Sequence, residues 1–142
     1  MTRALLDATV VIAAVDEDDE DHETGLEIVQ AVDHGELPKG IIVSDALQES
    51  LNFVHERKGH AAAVDVLDRF VRGARFEIPY NPKKNYGEAR SLFRSDGELN
   101  FGDSLQVAYM RSSNIEYIYS FDDDYDGVDG IERLNAAVNP YN

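Results

Sequence analysis

Cysteine is absent from the 142 residues. Neither a disulfide framework nor a thiolate metal site can form, and a cytoplasmic home is the expectation. No apolar run approaches the roughly 18 residues of a membrane span. The opening Met1-Thr2-Arg3-Ala4-Leu5-Leu6-Asp7 meets an acid too early for a signal peptide. Glycine-rich phosphate loops of both common types are missing. Nothing suggests a nucleophile triad. The four histidines, His22, His34, His55 and His60, show no metal spacing, so structural or surface roles are expected for them. Lysine is scarce: Lys39, Lys58, Lys83 and Lys84 stand beside nine arginines, against 28 acids, for a formal net charge of -15. Such a surface suits a halophilic protein in a salty cytoplasm, and it also fits a protein that binds a basic partner. Net negative charge opposes nucleic acid at low salt. At roughly 1 M salt the Debye length falls to about 3 Å, and that repulsion is largely screened.

What is present reads as alternating strands and helices. Arg3–Leu6 is a short buried strand ending in Asp7, and Thr9–Val15 is a first helix. Asp16–Glu23 is an acidic run, expected as a solvated loop and helix start. Leu26, Val29 and Val32 recur at helical spacing, and Gly35 with Pro38 ends that helix. The β-branched run Gly40–Ser44 is a second strand, with Ser44 or Asp45 capping the next helix. Leu47, Leu51 and Val54 mark its inward face, and Gly59 breaks it. Val64, Leu67 and Val71 mark the face of another helix, closed by Gly73. Arg75–Ile78 is a third strand, Pro79–Pro82 a turn, and Lys83–Arg94 a more polar helix. Asn100 is an N-cap with Asp103 three residues on. Phe101, Leu105, Ala108 and Tyr109 face that helix inward. Glu116–Phe121 is a fourth strand, and Ile131–Leu134 supplies a last one. The expectation is one domain over residues 1–142: a three-layer α/β/α sandwich around a mostly parallel sheet of four to five strands.

In a parallel sheet, strand C-termini and helix N-termini meet at one edge, where sites form. Asp7 follows the first strand and Asp122 the fourth. Glu49 lies in the first turns of the helix after strand two, and Asp103 in the first turn of the helix before strand four. Singly, each has a plain role: helix cap, turn former, capping-box member or solvated side chain. Jointly, they should converge on one sheet edge. Clustered carboxylates repel unless a cation sits among them or some stay protonated. Oxygen-only ligands favour Mg²⁺ or Mn²⁺, and such a site suits phosphodiester hydrolysis.

These residues resemble the PIN-domain family, in particular its VapC-like toxins. Leu5-Leu6-Asp7-Ala8-Thr9-Val10-Val11-Ile12 is similar to the family's opening motif. Ser44-Asp45-Ala46-Leu47-Gln48-Glu49 resembles the second motif, and Asn100-Phe101-Gly102-Asp103-Ser104-Leu105 the third. Tyr119-Ser120-Phe121-Asp122-Asp123-Asp124-Tyr125 resembles the fourth, with an aromatic three positions after the Asp. The resemblance implies Asp7, Glu49, Asp103 and Asp122 as metal ligands and catalytic acids, with Asp124 as the second choice within the fourth motif. It places Thr9 and Ser120 beside the site, orienting a carboxylate or water. It implies endonucleolytic cleavage of RNA, a small antitoxin partner and a homodimer. Lys83, Lys84, Arg90 and Arg94 are candidates for phosphate contact, with solvated helix charges as the plainer reading. A housekeeping RNA-maturation nuclease and a catalytically inactive binding module are the alternatives. Asp122–Gly127 also imitates the start of a calcium loop, but Asp129 and Arg133 stand where that loop needs an apolar residue and Glu.

Overall fold

The computed structural model describes residues 2–142; Met1, the first residue of the expected domain, lies outside them. Five strands form one sheet: β1 (Arg3–Leu6), β2 (Lys39–Ile41), β3 (Phe76–Glu77), β4 (Tyr117–Tyr119) and β5 (Glu132–Leu134). Their order is β3-β2-β1-β4-β5, and every pairing is parallel. The chain builds outward from β1 on one side, then returns to β1's other side to place β4 and β5. The order therefore reverses between β1 and β4, and the crevice at the strands' carboxyl ends opens there.

Side-chain alternation splits the core into two layers. Ala4 and Leu6 of β1 pack on one face with α1 (Ala8–Val15), α2 (His22–Asp33), α3 (Ser44–Lys58) and α4 (His60–Arg72). Leu5 packs on the other with Ile41, Ile118 and the residues Val107, Tyr109 and Met110 of α6 (Phe101–Ser112). Outside α6 lies α5 (Asn85–Ser95), joined to it through Ala89, Leu105 and Ala108. The three-layer arrangement expected from the sequence is the one observed.

Two glycines serve the packing. A Cβ on Gly25 would lie 2.9 Å from the Ala13 Cβ, so its absence lets α2 close on α1. Gly59 has a φ of 95°, open to glycine and strained for other residues, and turns α3 into α4.

Several local expectations are corrected. The second strand ends at Ile41, and Val43 rather than Ser44 or Asp45 is the N-cap of α3, with no side-chain cap bond. The inward face of α4 is Ala63, Val66 and Phe70, while Val64 and Val71 are exposed. That helix is apolar on two sides, and the side carrying the large Phe70 ring won the core, where it stacks edge-on with Phe76. α5 begins at Asn85, after Lys83 and Lys84. α6 has no single inward face: Asp103 through Met110 are all buried, because the sheet and α5 clasp it from both sides. Within the acidic run, Asp16 is buried.

Candidate metal centre

One cleft at the carboxyl edge of the sheet is lined by Asp7, Thr9, Asp45, Glu49, Asn100, Gly102, Asp103, Gln106, Asp122 and Tyr125, among others. Four chain segments supply its acids. Asp7 leaves β1, Asp45 and Glu49 ride on the first turns of α3, Asp103 opens α6, and Asp122 follows β4. One carboxylate oxygen from each of Asp103, Asp122 and Asp124 lies within 4.8 Å of the other two, the one such trio among the described residues. Asp7 and Glu49 line the same cleft outside that trio. Asp122 and Asp124, the two choices within the fourth motif, both lie against Asp103.

Asp7 occupies the N-cap position of α1, yet its side chain makes no cap bond. Its carboxylate faces inward and collects neutral donors. Thr9 Oγ1 and Ser120 Oγ donate to Oδ2 at 2.8 and 2.7 Å. Gln106 Nε2 donates to Oδ1 at 3.0 Å, with the Tyr125 hydroxyl 3.4 Å away. Thr9 Oγ1 also accepts from the Phe121 amide, and Ser120 Oγ from the Asp122 amide, each at 3.0 Å. Through Asp7, these two hydroxyls tie the segment after β1 to the segment after β4.

Asp103 does two jobs. Its Oδ2 accepts from the Asn100 amide and its own amide donates to Asn100 Oδ1, a reciprocal capping box. Its Oδ1 accepts from the Tyr125 hydroxyl at 3.0 Å. Tyr125 is fully buried, and that hydroxyl carries one proton between the two carboxylates of Asp7 and Asp103. Burial and those neighbouring charges hold its own pKa far above the ordinary phenol value.

The electrostatics carry the mark of crowded acids. Burial pushes Asp103 up to about 6, against the lowering bonds from Tyr125 and Asn100, and Asp122 and Asp7 push it further. Glu49, at the cleft's mouth, is raised by partial burial and then by Asp7 and Asp122. Asp124 is raised chiefly by Asp122 beside it. The donor set, all carboxylate oxygen, with Asp103, Glu49 and Asp124 raised in proton affinity, matches a hard divalent cation. The loop holding Asp122 and Asp124 is a short 3₁₀ turn (Asp123–Gly127), started by Asp122 Oδ1 accepting from the Asp124 amide at 3.0 Å. Arg133 braces it, gripping both oxygens of Asp126 at 2.7 and 3.0 Å and the Ser120 carbonyl at 3.1 Å.

Gln106 and the hydroxyl role of Tyr125 escaped sequence reasoning. A signal existed for each. Gln106 is the polar residue one turn after Asp103 in an otherwise apolar stretch, and Tyr125 is the aromatic three positions after Asp122. Of the histidines, His22 Nδ1 contacts the Ala13 carbonyl at 2.7 Å, and the His55 and His60 rings meet edge-on.

The family model for the PIN domain matches residues 4–131. No curated protein matches the chain by sequence. Solved structures share the fold. The Mycobacterium tuberculosis toxin VapC20, described as cleaving the sarcin–ricin loop, superposes with a TM-score of 0.73 at 23% identity, over 87% of this chain and 92% of that one. VapBC2 from Rickettsia felis, bound to a promoter DNA fragment, gives 0.69 at 19% identity, over 94% and 98%. FitAcB from Neisseria gonorrhoeae gives 0.66 at 13% identity, over 93% and 96%.

Proposed function

The chain belongs to the PIN-domain family, and from that premise we propose that residues 1–142 form a single divalent-metal-dependent endoribonuclease domain, the toxin of a type II toxin–antitoxin pair. The observation that carries this reading is the convergence of Asp7, Glu49, Asp103 and Asp122 on one cleft at the sheet's reversal point, with Asp124 beside Asp103 and Asp122. The toxin role draws support from the superposed structures, whose descriptions name a toxin and VapBC complexes. The expected partners are RNA, a small antitoxin and a second copy of the chain, in a salty cytoplasm. No helix among the described residues is long and apolar enough to cross a membrane.

In this mechanism Asp103, Asp122 and Asp124 would hold Mg²⁺ or Mn²⁺. A cation held there would supply Lewis-acid polarisation of the scissile phosphate and of a water. Glu49, raised in proton affinity and at the mouth, takes the proton of the attacking water on its carboxylate. Asp7, pinned by Thr9, Ser120 and Gln106, adds negative charge beneath the metal trio without needing to move. Tyr125 keeps Asp7 and Asp103 from splaying apart.

The test is cleavage of mixed RNA in high potassium chloride with Mg²⁺ or Mn²⁺, beside Asp103→Asn. Metal-dependent cutting lost in the variant supports the nuclease. A protein that neither cuts RNA nor binds metal is an inactive binding module, and the proposal fails.

A further inference from the structure

Charge is unevenly spread along this chain. Residues 80–95 carry Lys83, Lys84, Arg90 and Arg94 against one acid, Glu88. The other 126 residues carry nine cations against 27 acids. All four cations are exposed. Among the described residues none of them enters an ion pair, whereas five of the other nine cations do: Lys39, Lys58, Arg72, Arg111 and Arg133. Glu88 is turned away to Arg111 of α6, at 3.2 Å.

Helical phase puts Lys83, Arg90 and Arg94 within about 60° of one line along α5, once that phase is continued back through Lys84, which is itself in helical conformation. The line is about 16 Å long at 1.5 Å per residue. The adjacent row holds Tyr86 and Phe93. Phe93 is 49% exposed and meets Phe101 edge-on, with ring centroids 5.7 Å apart. Phe101 opens α6, next to Gly102 and Asp103 of the cleft. The aromatic row therefore leads from the cation row to the cleft's rim.

A chain of this net charge repels a polyanion over most of its surface, and four cations within 12 residues, beside the exposed Phe93 ring, mark a place where it does not. The geometry points to the outer face of α5 as the docking track for single-stranded RNA, an inference that rests on the ribonuclease reading. Lys83, Lys84, Arg90 and Arg94 take backbone phosphates, and Phe93 offers a face for an unpaired base. A duplex, with its bases stacked on one another, would leave the aromatic row unused.

The experiment is fluorescence anisotropy of a labelled single-stranded RNA oligonucleotide in EDTA, where no cleavage occurs, across a salt series. In the Arg90→Ala, Arg94→Ala double variant, affinity should drop on the order of tenfold. The log–log salt slope should become shallower by about 1.4, at about 0.7 per phosphate contact. Phe93→Ala should weaken binding roughly 5- to 100-fold, the scale of one lost base stack, with the slope unchanged. Wild-type affinity and slope in the double variant overturn the track. So does a double variant that keeps RNA binding while a dimer falls to monomer in sedimentation, which assigns the face to a second copy. Wild-type turnover of bis(p-nitrophenyl) phosphate with Mn²⁺, a substrate too small to reach α5, reads the cleft separately and tells failure of the track from failure of the nuclease.

Discussion

Two acidic clusters in this molecule have opposite characters. The run from Asp16 to Glu23 is dense in sequence, but its members satisfy themselves locally. Asp16 Oδ1 accepts from the Asp18 amide, and Asp19 Oδ1 from the Asp21 amide, while Glu17 and Glu20 face solvent. Asp16, the buried one, has Lys58 at 3.9 Å. The cleft acids arrive from four separate segments and crowd together, and burial with neighbouring charge raises the proton affinity of Asp103, Glu49 and Asp124. The contrast teaches that a count of carboxylates does not make a site. Convergence enforced by the fold does, because only there does the chain hold charges together that would otherwise move apart into water.

The largest expected effect is on Asp103. Asp103→Asn should cut metal-dependent cleavage on the order of a thousand-fold, the scale of losing one group that stabilises transition-state charge. The same change should raise the metal-free Tm by about 2–4 °C, since it removes a charge the fold holds at a cost. A lowered Tm in calorimetry would break the comparison, because the cleft acids would then be stabilising like ordinary hydrogen-bonded carboxylates.

Tyr125→Phe comes next. It removes the one proton shared by Asp7 and Asp103 and leaves the ring in place. Mn²⁺ affinity by titration calorimetry should fall about 10- to 100-fold, as for other groups that orient metal ligands, with the circular dichroism spectrum unchanged.

The pH dependence sharpens the contrast further. Asp103 titrates at about 6 in the fold against 3.8 ordinarily. Between those values the folded state keeps a proton that the unfolded chain has lost. Metal-free stability should therefore fall as pH rises from about 4 to about 6. Metal affinity should run the other way, weakening as pH drops through about 6, because the ligand must be ionised. Flat metal affinity across that window would show that Asp103 is not a ligand.

The smallest effect is reserved for the other cluster. Glu17→Gln with Glu20→Gln should leave stability within about 0.5 kcal/mol and Mn²⁺ affinity untouched. Any loss of metal binding there would erase the distinction between the two regions.

Much of the architecture was legible because strand and helix periods differ and glycine punctuates them. The strand-ending Asp7 and Asp122, the Asn100–Asp103 box and the break at Gly59 all have local causes, so local sequence carries them. The face of α4 was misread because Val64 and Val71 repeat at helical spacing as well as Ala63, Val66 and Phe70 do; which set is buried depends on what lies opposite. The cap of α3 was misplaced because Val43 adopts the cap geometry as a buried residue at the sheet's edge, without needing a polar side chain.

By itself, then, the order of strands and helices and the residue types at their junctions determined a parallel α/β fold with acids at one edge, since each junction is set within a few residues. Only tertiary structure decided which acids meet. It turned Asp7 inward onto Thr9, Ser120 and Gln106, and it brought both Asp122 and Asp124 against Asp103. It also buried Tyr125 between two carboxylates contributed by residues 118 and 22 positions away in sequence. Local patterns marked several of these residues, but the contacts join segments distant along the chain and are fixed by the register of β1 against β4 and by the clasp around α6.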